Sequence, residues 1–123
     1  MRTLKTELTP DELARFSGTE NRYRHAINRN VHFTDGVKYV ADRGAAYWLL
    51  DEIALLQPCD KRFSAEPFQV WKLTVNADGA GRLVCSDGND NIIYSRAIPF
   101  TDFPREEITL WFRDGTLLLP SEY

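Results

Sequence analysis

Four Asp-Gly pairs, at 35–36, 78–79, 87–88 and 114–115, punctuate the chain, and three of them fall in its second half. Both residues tolerate the positive φ angles of a tight hairpin, so such a pair between apolar stretches predicts two strands joined by a turn. The stretches between these pairs fit that role. Phe68-Gln69-Val70-Trp71-Lys72-Leu73-Thr74-Val75 is rich in β-branched and aromatic residues, and Arg82 to Cys85, Ile92 to Arg96, Ile108 to Phe112 and Thr116 to Leu119 follow it. The second half therefore reads as a β-meander that closes on the hairpin at Asp114-Gly115. At the first pair, Thr34-Asp35-Gly36 reads as the turn of an earlier hairpin, with Val31-His32-Phe33 and Val37-Lys38-Tyr39-Val40 as its strands.

Helical signals lie in the first half. Thr9, Pro10 and Glu12 form a capping box, Leu8 and Leu13 sit as a hydrophobic staple, and Gly18 is placed to end a short N-terminal helix. From Ala45 to Gln57 the apolar residues Ala46, Leu49, Leu50 and Ile53 follow helical spacing until Pro58 stops the run. Pro58 to Pro67 reads as a polar connection, and residues 17–30 as a loop that leads into the early edge strand. The expected fold is α+β: a mainly antiparallel sheet of five to seven strands, packed by one central helix and flanked by the short N-terminal one. A length of 123 residues fits one domain over residues 1–123.

Composition narrows the function classes. With 43% apolar and 27% charged residues the chain has the balance of a globular protein. The longest apolar run, Gly44 to Leu50, is too short to cross a bilayer, and no apolar stretch follows Met1-Arg2 as a secretory signal would require. A cytoplasmic location is expected. Cys59 and Cys85 lack C-x-x-C spacing and are expected to stay reduced. Residues 1–62 carry 10 Lys/Arg against 9 Asp/Glu and residues 63–123 carry 5 against 9, which argues against a wholly basic nucleic-acid-binding domain.

The candidate binding residues are Arg22, Tyr23, Arg24, His25 and Arg29, four potential cations and an aromatic ring suited to phosphate contact and base stacking. Lys61-Arg62 could extend that surface. Pairing of these arginines with the surplus carboxylates of the C-terminal half explains the same residues and is preferred. Catalysis would need His25 or His32 beside a carboxylate such as Asp35 or Asp42, which sequence cannot show. Asp87-Gly88-Asn89-Asp90-Asn91 resembles a calcium loop, yet Ile92 and Ile98 stand where that loop needs glycine and glutamate. A hairpin turn explains it, and no metal or cofactor is expected.

Alternation sets Ile108, Leu110 and Phe112 on one face of their strand and Trp111 on the other. Trp71 likewise opposes Phe68 and Val70. A sheet apolar on both faces calls for a second covering layer or for another molecule, and Trp48, Trp71 and Trp111 are the candidate interface residues.

Phe16-Ser17-Gly18-Thr19-Glu20, Tyr23-Arg24-His25, Thr34-Asp35-Gly36-Val37-Lys38-Tyr39, Ala46-Tyr47-Trp48-Leu49-Leu50-Asp51, Glu66-Pro67-Phe68-Gln69-Val70-Trp71 and Leu118-Leu119-Pro120-Ser121-Glu122-Tyr123 together carry a resemblance. They resemble an uncharacterised bacterial family of small domains of unknown function, often encoded on plasmids and other mobile elements. The similarity spans nearly the whole chain. It implies a bacterial, cytosolic accessory protein and brings no activity, cofactor or catalytic residue. The expected function is a non-enzymatic interaction or accessory domain that self-associates or binds another protein. The alternative is a small nucleic-acid-associated protein using the Arg22 to Arg29 cluster, and a third reading is a hydrolase-like enzyme using His25 or His32.

Overall fold

The computed structural model describes residues 21–122. The expected N-terminal helix, with Leu8, Leu13 and Gly18, lies outside them. Seven strands, β1 (Arg22–Arg24), β2 (His32–Thr34), β3 (Phe68–Val75), β4 (Gly81–Ser86), β5 (Ile92–Ile98), β6 (Glu107–Arg113) and β7 (Thr116–Leu118), form one sheet in the order β1-β2-β7-β6-β3-β4-β5. Three helices, α1 (Asp35–Gly44), α2 (Tyr47–Leu56) and α3 (Lys61–Ser64), lie between β2 and β3. The architecture is α+β. The sheet is mixed, because β2 runs parallel to β7 while the other five neighbouring pairs are antiparallel.

Three of the four Asp-Gly pairs make the expected turns. Gly79, Gly88 and Gly115 all have positive φ, and Asp114 and Gly115 together form a two-residue hairpin connection with φ of 51° and 82°. Asp87 closes the β4–β5 turn with its own carboxylate, which accepts from the backbone N–H of Asn89 at 2.8 Å and from Asn91 Nδ2 at 2.8 Å.

The fourth pair does not make a turn. Thr34-Asp35-Gly36 opens a helix in place of a hairpin, and Val37 to Val40, expected as a strand, is helical. Two forces override the local turn preference. Thr34 Oγ1 caps the helix by accepting from Val37 N, with Asp35 in the first turn, and Val37, Val40, Ala41 and Gly44 are buried at the i, i+3, i+4, i+7 spacing of one helical face. The chain then breaks at Ala45, which adopts the left-handed conformation with φ 53°, and α2 begins two residues later. The helical layer thus has two long members where one was expected, and the helix expected from Ala45 to Gln57 spans Tyr47–Leu56.

The connection expected to be polar also carries structure. Asp60 caps the single-turn α3 by accepting from Arg62 N, and α3 buries Phe63. Phe63 stacks on Trp71 at 5.7 Å and meets Tyr94 edge-on at 5.8 Å, which seals the layer over β3 to β5. The core lies between the helices and one sheet face: Val37, Val40, Leu49, Leu50 and Ile53 pack against Trp71, Leu73, Leu83, Leu110 and Leu117. Gln69 is buried among them. Its Oε1 accepts from Trp71 Nε1 at 2.9 Å, and its Nε2 donates to the carbonyls of Phe63 at 3.0 Å and Glu66 at 3.2 Å.

Candidate interaction surface

The Arg22 to Arg29 cluster is split by strand alternation. Arg22 and Arg24 are exposed, whereas Tyr23 turns toward the helices, stacks on Phe33 at 5.6 Å and donates its hydroxyl to Asp35 Oδ1 at 2.9 Å. That hydrogen bond is the main reason the Tyr23 pKa is raised. Arg29 is exposed in the loop between β1 and β2. Arg62 is held by Asp60 and by the carbonyl of Ile93, which directs it to the β5 side and away from β1.

His25 is buried, and it meets Asp51 on α2 rather than Asp35 or Asp42. Its Nδ1 accepts from the backbone N–H groups of Ile27 at 3.1 Å and Asn28 at 3.0 Å, and its Nε2 lies 2.8 Å from Asp51 Oδ1. An imidazole nitrogen that accepts two N–H groups carries no proton, so Nε2–H is the donor to Asp51. Both ring nitrogens are therefore spent on structure. Asn28 reinforces the same docking by donating from Nδ2 to the Ala54 carbonyl at 2.8 Å. Together they pin the β1–β2 loop onto α2.

A second device joins residues 86 positions apart. The buried Glu122 carboxylate accepts from Gly36 N at 3.0 Å, from Thr34 Oγ1 at 2.5 Å and from Leu119 N at 2.9 Å. It supplies negative charge where the first turn of α1 exposes unpaired donors. A Cβ on residue 36 would lie 2.6 Å from Glu122 Oε1, so the glycine is required by close approach and not by a turn. No local sequence signal announces this pair, because its partners lie at opposite ends of the described chain.

Along α1, Lys38 Nζ and Tyr47 Oη both donate to Asp42, at 2.8 and 2.5 Å. The Lys38 bond is the leading cause that holds the Asp42 carboxyl below its ordinary value. The same bond raises Lys38, while burial is the leading cause of the raised Tyr47.

The sheet face opposite the helices carries a row set by register: Arg24, His32, Thr116, Arg113 and Phe68 stand side by side on adjacent strands. Trp111 lies on the next row with Leu118 and Val70, and its ring meets Phe68 edge-on at 5.3 Å. Trp71 faces the helices at 1% exposure and cannot serve as a contact residue, which corrects its place among the interface candidates. Trp48 is half-buried against the core and borders an open cavity of about 420 Å³ with Arg96, Ile98, Pro99 and Phe100.

Exposed apolar surface is not concentrated on the open face. The most exposed large apolar side chains among the described residues are Ile27, Tyr47, Leu55, Ile92 and Phe100, and two of them bracket β5: Ile92 at 61% and Phe100 at 69%. β5 is also an edge strand of seven residues whose one charge, Arg96, is bound to Glu52 of α2 at 2.5 Å. Tyr94 Oη donates to the other Glu52 oxygen at 2.9 Å. Burial, followed by that hydrogen bond, raises the Tyr94 pKa. The opposite edge, β1, has three residues and two exposed arginines.

Among the described residues no group of three His, Cys, Asp or Glu side chains is placed to hold a metal ion, and no helix is long and apolar enough to cross a membrane. No curated protein and no solved structure matches the chain. The model of a family of unknown function (DUF6876) matches residues 7–123, and the chain belongs to that family.

Proposed function

We propose that the protein is a non-enzymatic interaction domain that self-associates through the β5 side of its sheet. The observation that carries this reading is the contrast between the two sheet edges. β1 is short and flanked by like charges, the usual protection of an edge, whereas β5 is long, carries one charge, is interrupted only by a bulge near its start and is bracketed by exposed Ile92 and Phe100. The surplus apolar surface read from the sequence is thereby moved from the open face to an edge. Light scattering coupled to size exclusion, over about a hundredfold range of protein concentration, tests it through mass action. A dimer whose fraction rises with concentration is expected, and a strict monomer throughout overturns the reading.

A second reading is favoured by the row of Arg24, His32 and Arg113, with Arg22 beside it, on the open face. Such a row suits an anionic strand, with phosphates neutralised by the arginines. Fluorescence anisotropy with single- and double-stranded oligonucleotides is expected to show binding that falls steeply between about 50 and 200 mM salt. No binding at the lower salt discards it. As an accessory protein of the bacterial cytosol, the role its resemblance implies, the domain is suited to either use.

A further inference from the structure

We infer that two copies of this chain join edge to edge through β5, antiparallel, on a two-fold axis that passes through Ser95. The inference rests on the self-association reading and names its geometry. Among the described residues β5 pairs only with β4, so one side of its backbone has no strand neighbour. A two-fold axis perpendicular to the sheet keeps each side chain on its own face, and residues opposed in an antiparallel ladder share a face. The axis must therefore pass through a residue and not between two.

Three positions near the middle of Ile92–Ile98 are available. An axis at Arg96 would set guanidinium against guanidinium, and like charges directly opposed destabilise a strand pair. An axis at Tyr94 would set the extra residue of the bulge, Ile93, into the centre of the joint. An axis at Ser95 keeps the central pairs within the regular part of the ladder with β4, clear of the extra residue at Ile93. It sets Tyr94 against Arg96 of the second copy, twice. Tyr94 and Arg96 lie on the helix-covered face, as their partners Cys85 and Leu83 show, and both already bind Glu52. Each Glu52 carboxylate is then offered a second guanidinium, and each Tyr94 ring a cation.

Two substitutions at the axis test this. Ser95→Cys, in a Cys59→Ser background, brings two sulfurs face to face across a strand pair whose Cα separation suits a disulfide, so oxidation is expected to yield a cross-linked dimer. Ala97→Cys, two residues from the axis, is expected to cross-link at least about tenfold more slowly. Ser95→Glu opposes two carboxylates across the axis and is expected to weaken association about tenfold or more. The fold tolerates it, because Arg82 Nη1 already reaches the Ser95 hydroxyl at 2.7 Å and can pair with the new carboxylate. A dimer that ignores Ser95→Glu and does not cross-link at residue 95 overturns this geometry while leaving self-association standing. A monomer at every concentration removes both.

Discussion

Replacing Gly36 with alanine reverses the usual sign of a glycine-to-alanine change in a helix. In an unconstrained helix the substitution stabilises by up to about 1 kcal/mol. Here the new methyl would sit 2.6 Å from Glu122 Oε1 and 2.7 Å from both Glu122 Cδ and Leu119 Cδ1, all in a buried site. The carboxylate must retreat from the first turn of α1, which breaks its bond to Gly36 N–H and strains those to Thr34 and Leu119. Hydrogen bonds to a charged group are worth about 1.5–3 kcal/mol each, so losing one to two of them outweighs the helical gain and leaves a net cost of about 0.5–5 kcal/mol. At about 4 °C per kcal/mol for a chain of this size, the melting temperature falls by about 2–20 °C. Thermal and urea unfolding followed by circular dichroism measure the loss. A double-mutant cycle with Glu122→Ala assigns it: once the carboxylate is gone only the Leu119 Cδ1 contact remains, and Gly36→Ala costs less than in the parent, with a coupling of about 0.5 kcal/mol or more. A Gly36→Ala protein as stable as the parent would refute the close-approach argument.

His25→Ala removes the acceptor of two backbone N–H groups and the donor to Asp51, and is expected to cost about 2–4 kcal/mol; His25→Asn, whose Oδ1 can replace Nδ1, recovers about half of it in urea melts. Thiol labelling of the native protein is expected to modify Cys59 and spare Cys85, whose thiol burial pushes up to about 12; labelling of both at equal rates under native conditions would contradict the packing around β4. Asp42→Asn is expected to lower the melting temperature by about 2–4 °C at neutral pH. Because the Asp42 carboxyl is lowered in the folded state, its contribution is complete above the ordinary value of 3.8 and is lost as pH falls through the lower folded value. The parent and variant curves should therefore converge in acid, and a gap that persists there would sink the ion-pair account.

The meander was legible because hairpins are local. Asp78-Gly79, Asp87-Gly88 and Asp114-Gly115 each sit within a few residues of both strands they join, and each glycine takes the positive φ that the dipeptide permits. Asp35-Gly36 was misread for the same reason. The determinants of α1 are a cap at Thr34, a buried stripe that shows only after ten residues, and a carboxylate 86 positions away. The parallel pairing of β2 with β7 was equally hidden, since no turn records it and its partners are separated by most of the chain. Gln69 shows a further limit: a polar residue in an apolar strand reads as solvent-facing, yet here it satisfies the Trp71 indole and two loop carbonyls inside the core. At the candidate site, alternation along β1 separates Arg22 and Arg24 from Tyr23, but that His25 would meet Asp51 and not Asp35 or Asp42 depends on how α2 docks.

The stretches that carry the family resemblance find one another in space. Tyr23 donates to Asp35, His25 meets Asp51, and Glu122 closes on Thr34 and Gly36. Each contact ties one such stretch to another and fastens a strand, loop or terminus to a helix. None leaves a reactive group aimed at solvent, since the imidazole nitrogens and the Glu122 oxygens are all engaged within the fold. Residues of this kind specify a frame. β5, in contrast, lies outside every one of these stretches, and its outward properties are length, a single charge and an exposed Ile92 at its start. A frame held by such contacts can accept changes at the outward positions Ser95 and Ala97 at little cost to folding, because Ile93, Tyr94 and Ile98 are the residues of that strand that meet the core. The contacts among these stretches thus account for how the chain folds, while the surface argued to join two copies lies on a strand outside them.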